Sequence, residues 1–221
     1  MSGGPFAHSV VLALDASTSR ATVALVRGRE VLAAAETAGG RDERLLPVII
    51  ELLGHAELGV GDVAGVVCGA GPGSFTGLRV AGSIAKGLAL GGGVPPGRGV
   101  PLSAVSSLLL IVAGLPEAPP AGRYLAAIDA MRGERFVATV TVDGPTIALA
   151  SAPCVVSAQD AVEMAAAGGA QLIGPGCPWD AWPHVRGIVR LGPDSVIPVD
   201  IDAWEPSYGR QSAAEDRRAK V

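Results

Sequence analysis

Aromatic residues are scarce in this chain: three Phe, three Trp and two Tyr make up 4 % of 221 residues, although 49 % are hydrophobic. A core of any size must therefore come from Ala, Val, Leu and Ile together with many of the 31 glycines, a composition that favours close backbone packing. Cysteine is equally sparse. Cys68, Cys154 and Cys177 are odd in number, widely spaced and form no CxxC pair, which excludes a disulfide framework and a cysteine zinc site and fits a reducing cytoplasm. The three histidines, His8, His55 and His184, lack HxxxH or HExxH spacing, so no metal held by local imidazoles is expected. Basic residues are no more abundant than acidic ones. The formal charge of −4 argues against tight autonomous nucleic-acid binding, which rests on neutralising phosphates, and suits a basic partner better.

Long apolar runs are missing too. The longest uncharged stretch, Gly99 to Pro116, carries prolines near both ends and three serines, and reads as a buried helix rather than a membrane span. The first residues, Met1 to His8, have no basic region, and Asp15 interrupts the apolar run behind them; a flexible extension over residues 1–8 is expected, with no secretory leader and no membrane contact. At this length the chain can bury roughly 70 % of its unfolded surface, in one large domain or two small lobes.

What is present centres on Gly69-Ala70-Gly71-Pro72-Gly73-Ser74-Phe75-Thr76-Gly77-Leu78-Arg79-Val80. The β-branched run Val63–Cys68 before it predicts a buried strand, and helical spacing follows it. A strand, a glycine-rich loop and a helix start, in that order, let an anion or a partner's backbone approach closely. The standard catalytic loops do not fit. A Walker loop needs Gly-Lys after four residues and Thr76 stands there; a dinucleotide fingerprint needs glycine at Ser74 or Thr76; a nucleophile elbow needs glycine where Pro72 and Thr76 stand. A tight turn or protein-contact loop is favoured over a phosphate site.

Along the chain, Ser9–Leu14, Ala21–Val26 and Glu30–Thr37 predict three strands of an antiparallel meander, with a hairpin turn at Arg27-Gly28-Arg29. Leu45, Ile49 and Leu52 or Leu53 mark a helix from Arg41 to Gly54, with Pro47 disturbing its first turn. A second helix is expected from Thr76, as N-cap, to Gly91. Its small inner residues, Ala81, Gly82, Ala85 and Ala89, fit packing on the chain's own sheet and a helix-to-helix protein interface equally well. Arg79 and Lys86, seven apart, share one side of it as solvated charges or the rim of a contact. A short strand near Arg98–Val100 and a helix from Ser103 to Gly114 complete residues 9–114 as a first lobe. Residues 115–122, rich in Pro and Ala, form a linker.

Residues 123–190 then repeat the order in reduced form. Strands are expected at Tyr124–Asp129, Glu134–Val142 and Thr146–Val156, a helix at Ser157–Ala167 capped by Ser157, and a strand at Gln171–Ile173. Residues 191–221 form a C-terminal segment returning toward the first lobe. The pattern implies an α/β, two-lobed actin-like (ASKHA, ribonuclease H-like) fold, with mixed sheets flanked by helices and a reduced second lobe.

Gly71 to Arg79 also matches the signature of the TsaB (YeaZ) family, and Ala85-Lys86-Gly87-Leu88-Ala89 continues it. Leu14 to Thr18 resembles that family's opening strand and turn, Ile128 to Glu134 the first strand of its second lobe, and Pro206 to Arg210 its C-terminal segment. The resemblance implies a non-catalytic accessory subunit, cytoplasmic, in the modification of tRNA with threonylcarbamoyladenosine. It implies pairing with a TsaD-like catalytic subunit through helices beside the signature loop, or a homodimer through the same surface when that partner is absent. A TsaE-like ATPase joins the assembled complex, tRNA is contacted indirectly, and ATP and metal belong to the catalytic partner, with no cofactor of the chain's own. The interface expected on this basis comprises Gly71, Gly73, Ser74, Phe75, Thr76, Arg79, Gly82, Ala85 and Lys86. Asp15, Ser17 and Thr18 are the positions nearest a nucleotide should the chain instead be an actin-like phosphotransferase. A glycoprotease-type peptidase is a weaker alternative, since Ser74 and Ser17 have no visible base.

The sequence departs from the family in two places. Asp42-Glu43 stands where a His-Ser pair is usual, and Leu191–Glu205, with Pro193 and Pro198, leaves no room for the helix that normally precedes the C-terminal tyrosine segment. Beyond Arg210 the mixed charges read as a solvated end.

Overall fold

A computed structural model describes residues 9–38, 44–93 and 97–209. The N-terminal extension, Asp42-Glu43, the start expected for the first helix and the tail from Arg210 lie outside the described residues.

Strands β1 (Val10–Asp15), β2 (Arg20–Arg27) and β3 (Glu30–Ala38) form the expected antiparallel meander. Gly28, with φ +58°, turns the β2–β3 hairpin. Helix α1 (Leu45–His55) follows, and Pro47 is its third residue, where the missing N–H would have had no intrahelical acceptor. Strand β4 (Val63–Gly69) lies parallel to β1, and α2 (Phe75–Gly91) carries the chain on to β5 (Leu102–Val105), parallel to β4. Two boundaries differ from expectation. Ser74, not Thr76, caps α2, its Oγ accepting the Gly77 N–H at 3.3 Å. The strand expected at Arg98–Val100 lies at β5 instead, so the helix expected from Ser103 begins only at Ser107, where Ser106 caps α3 (Ser107–Ala113). Cross-strand pairing with β4 takes Leu102–Val105 out of a helix that periodicity alone would have allowed.

The second sheet holds β6 (Gly122–Asp129), β7 (Glu134–Asp143), β8 (Thr146–Leu149), β9 (Cys154–Ser157) and β10 (Gln171–Ile173), with α4 (Ala158–Ala167) capped by Ser157. The single strand expected over Thr146–Val156 is two. Both β8 and β9 pair with β7, and the loop between them is pinned where the Thr139 N–H donates to Ser151 Oγ at 2.9 Å.

The layers alternate. Leu12 and Leu14 of β1 face a core with α1 and α2, whereas Val11 and Ala13 face the other way, onto Leu110 of α3 and Val185. Every residue of α3 is buried, as an all-round apolar helix requires. Leu110 packs with the first sheet, and Leu108, Leu109, Ile111 and Val112 pack with Tyr124, Ala126 and Val140 of the second. The helix that sequence order assigns to the first lobe thus lies between the two sheets. Leu125, Ala127 and Val137 face α4 on the far side.

Residues 191–209 cover the β5 edge of the first sheet. Val196 packs on the α3 side of the first sheet, β11 (Ile197–Pro198) pairs antiparallel with β5, and Val199, Ile201 and Trp204 reach the α1–α2 side. An extended chain wrapped round the sheet edge covers it without helical geometry, which Pro193 and Pro198 would have broken.

The place of Leu110, on a helix buried between two sheets, sets a stability expectation. Leu110→Ala should lower unfolding stability by about 3 kcal/mol in urea titrations, because a cavity there opens between two packed sheets. Leu90→Ala, at a side chain 58 % exposed, should change it by less than about 0.5 kcal/mol.

Candidate functional site

The glycine-rich loop is held from beneath by Asp15, at the end of β1 and fully buried. Its Oδ1 accepts from the Ser17 N–H at 2.9 Å and the Ser17 hydroxyl at 2.7 Å, and its Oδ2 from the Ser107 hydroxyl at 2.5 Å. Ser107 Oγ in turn accepts the Gly71 N–H at 3.0 Å, while the Ser107 N–H donates to Gly71 O at 3.0 Å. Ser74 N–H donates to Ser17 O at 2.7 Å. The β1 turn, the loop and the start of α3 are thereby one hydrogen-bonded unit.

Close approach explains the loop's composition. Gly71 has φ +87° and no room for a side chain beside Ser207 O; Gly73, at φ +156°, lies against the Ser17 backbone in the same way. The Gly71–Pro72 peptide is cis.

Beyond the loop an open cleft of about 1180 Å³ separates the two halves. Ser17 to Ser19 and residues 73–76 line it from the first half and Asp129 to Met131 from the second, together with Trp182, whose ring centre lies 4.4 Å from the Arg20 guanidinium. Glu205, Pro206 and Tyr208 close one side. Arg79, Asp129 and Glu205 are among the charged residues that line it. Asp15 is sealed off from the cleft, and Ser17 is only 1 % exposed. Thr18 lines the cleft, but its hydroxyl donates to Arg20 O at 3.1 Å. Of the three positions expected near a nucleotide, two are thus structural anchors.

The residues expected at a partner interface divide sharply. Phe75, Thr76 and Arg79 are exposed, with Ser83, Gly87 and Leu90 continuing the same open face of α2. The Phe75 ring sits 4.6 Å from Tyr208, and the Arg79 guanidinium lies 5.3 Å from its centroid. Ser74 is exposed, Gly73 and Lys86 half-buried, and Gly71 buried under Ser207. Ala85 is wholly buried, and Gly82 lies under Pro206 and Trp204, so their small size serves packing within this chain.

Sequence reasoning did not find Ser107, Trp182 or Phe136, and it noted Tyr208 only as part of the C-terminal segment of the resemblance. The pair Ser106-Ser107 at the head of an apolar run was a usable signal, being the cap chemistry of a helix start; the others are isolated aromatics without pattern. His184 is also buried, its Nδ1 accepting from the Arg186 N–H at 3.1 Å and its Nε2 standing 3.6 Å from Glu36. Burial, followed by the Arg186 charge, pushes it down to about 4, so it is a neutral structural imidazole at neutral pH. Among the described residues no group of three or more His, Cys, Asp or Glu is placed to hold a metal ion.

Burial raises the Asp15 carboxyl above its ordinary 3.8, against the opposing hydrogen bonds from Ser107 and Ser17. Its native value lies above its unfolded one, so its contribution to stability is full below about pH 3.8 and is lost as pH rises through the raised value. In urea unfolding from about pH 4 to about pH 8, Asp15→Asn should remove that loss. Asp15→Ala should cost about 2–4 kcal/mol throughout by leaving the Ser17 and Ser107 donors buried without an acceptor. A pH profile identical in wild type and Asp15→Asn would contradict the assignment.

Residues 36–174 match the family model described as TsaD: tRNA N6-adenosine threonylcarbamoyltransferase. The tRNA threonylcarbamoyladenosine biosynthesis protein TsaB of Haemophilus influenzae is 37 % identical over 131 residues, covering 59 % of this chain and 53 % of that protein. The Escherichia coli protein of the same name is 36 % identical over 127 residues, covering 57 % and 52 %. The chain thus matches about half the length of these curated relatives. An uncharacterized protein of Mycobacterium tuberculosis is 34 % identical over 167 residues, 66 % of this chain and 73 % of that one. YeaZ from Pseudomonas aeruginosa superposes with a TM-score of 0.69 at 25 % identity, covering 90 % of this chain and 99 % of that one. A second Pseudomonas aeruginosa structure, described as similar to peptidase YEAZ, gives 0.74 at 26 % identity over 91 % and 100 %. The family match spans the signature loop and much of the second sheet, and the chain belongs to the TsaB (YeaZ) family, in a two-lobed actin-like fold with a TsaD-type domain.

Proposed function

We propose that this chain is an accessory subunit of the machinery that makes threonylcarbamoyladenosine in tRNA, binding and supporting a TsaD-like catalytic subunit and performing no chemistry of its own. The observation that carries this reading is the contrast within the signature region: the loop's polar groups are tied into the chain itself, while the outer face of α2 is left open. Phe75 is 49 % exposed and Leu90 58 %, and Ser83 and Gly87 between them leave space for a second helix to approach. On α1, Leu46 and Ile50, one turn apart, are 44 % and 59 % exposed. Phe75, Thr76, Arg79 and Lys86 would lie at the contact, with Gly71, Gly73 and Ser74 shaping the loop behind it. In the absence of the catalytic subunit two copies would pair through this face. The TsaE-like ATPase would join the assembled complex, tRNA would be met through the catalytic subunit, and ATP and metal would reside there.

The phosphotransferase alternative loses its main support with Asp15 turned into the protein. A peptidase is no better served, since the Ser74 hydroxyl accepts from the Gly77 N–H to start α2 and, among the described residues, no histidine is hydrogen-bonded to it.

Co-elution with a purified TsaD protein from the same cell tests the reading. Wild type should elute with it, and Gly87→Trp, at an open position, should weaken the complex at least about tenfold without lowering thermal stability. Failure of the wild-type chain to bind, together with unchanged modified adenosine in tRNA from cells lacking it, would overturn the proposal.

A further inference from the structure

The chain crosses between its halves twice, and the two crossings are bolted to each other. The first leaves α3 at Ala113 and enters β6 at Gly122; the second returns through a 3-10 turn, Val185–Arg190, that lies against α3 and β2. Arg190 Nη1 donates to Ala113 O at 2.9 Å, Leu115 O at 2.6 Å and Glu117 O at 3.1 Å, and its Nη2 to Pro116 O at 3.1 Å. Arg186 Nε donates to Gly114 O at 2.8 Å. Five successive carbonyls, 113 to 117, are thus bound by two guanidinium groups. The fork of an arginine suits carbonyls at a helix end, where they have no intrahelical donor.

Backbone meets backbone at the same place. A Cβ on Gly187 would stand 2.5 Å from both Ala113 C and Gly114 N, so only glycine lets the crossings touch. The second crossing is also tied to the first sheet, since the Val185 N–H donates to Thr22 Oγ1 at 3.3 Å. A further tie spans the cleft. Trp204 and Pro206 rest on Gly82 of α2, Tyr208 on Phe75, and Gly209 against Phe136 of β7.

Two lobes joined by two strands of chain normally hinge where a few residues absorb the change in backbone angles. Here residues 113–117, the natural hinge, have every carbonyl engaged, and α3 shares its buried surface between both sheets. We infer that the arginine clasp at Arg186 and Arg190 locks this hinge, so that the two halves form one body and the cleft stays open at a fixed width instead of closing over a ligand. The inference does not rest on the accessory-subunit reading, since it concerns the isolated chain.

Spin labels at the native Cys154, exposed on the second sheet, and at Ser83→Cys on α2 report the separation directly, with Cys68 and Cys177 buried. The otherwise unaltered full chain should give one narrow distance distribution. Arg190→Met, which keeps the stem and removes the donors, should broaden it about twofold or more, as should Arg190→Lys, whose single ammonium cannot span four carbonyls. Circular dichroism identifies any variant that has failed to fold, and the labelled chain with Arg190 intact provides a test that needs no clasp variant. A broad or two-peaked distribution with Arg190 intact, or an unchanged width in folded Arg190→Met and Arg190→Lys, would overturn the inference.

Discussion

A single buried carboxyl group organises the region behind the proposed recognition surface. Asp15 takes hydrogen bonds from Ser17 and from Ser107, which is 92 residues further along, and Ser107 passes the tie on to Gly71. Burying that group is costly unless each oxygen has partners, and the partners are what draw β1, the glycine loop and α3 together. The loop then fixes where α2 starts, through Ser74, and therefore which face of α2 points outward. An aspartate at the end of a first strand followed by hydroxyl residues is also what a phosphate-binding site would want. Here the aspartate is turned inward and Ser17 is hydrogen-bonded to it, and the loop that remains presents a helix.

The scarcity of aromatics finds its counterpart in the packing. Ala81, Ala85 and Ala89 let α2 lie close on β4, and the wholly apolar α3 fills the space between the sheets with leucine, isoleucine and valine. Most of the few aromatics stand at edges of this core. Phe75, Phe136, Trp182 and Tyr208 surround the cleft, and Trp204 seals α2 from outside. At the C-terminal end an extended strap supplies apolar cover, and it does so by crossing the edge of the sheet at β11.

Much of this was legible in the chain itself. Strands β1 to β4 and β6, β7 and β10 declare themselves by apolar runs bounded by turns, and α4 by a serine cap with small apolar residues on one side. The signature loop is specific enough to indicate the family. What was not legible has physical reasons. The Asp15–Ser107 contact joins distant segments, and no local pattern carries it. The apolar stretch that becomes β5 and α3 favours burial without saying whether in strand or helix, or between which sheets. In α2, glycine and alanine look the same whether they face a sheet or a partner, and only the position of Pro206 and Trp204 separates Gly82 from Gly87. The strap from Leu191 onward has neither period, so beyond a return toward the first lobe its path round the sheet edge could not be read.

The chain keeps the two-sheet body of an actin-like protein, and the proposed recognition surface is the outside of α2 and not the cleft. Hydrogen–deuterium exchange, comparing the chain alone with the chain saturated by a purified TsaD protein, measures this most directly. The account predicts new protection in Phe75–Gly91 and in the exposed turn of α1 around Ile50, with the cleft hairpin at Asp129–Gly133 unchanged. Protection confined to that hairpin and the Thr18 turn, with α2 unaffected, would contradict it.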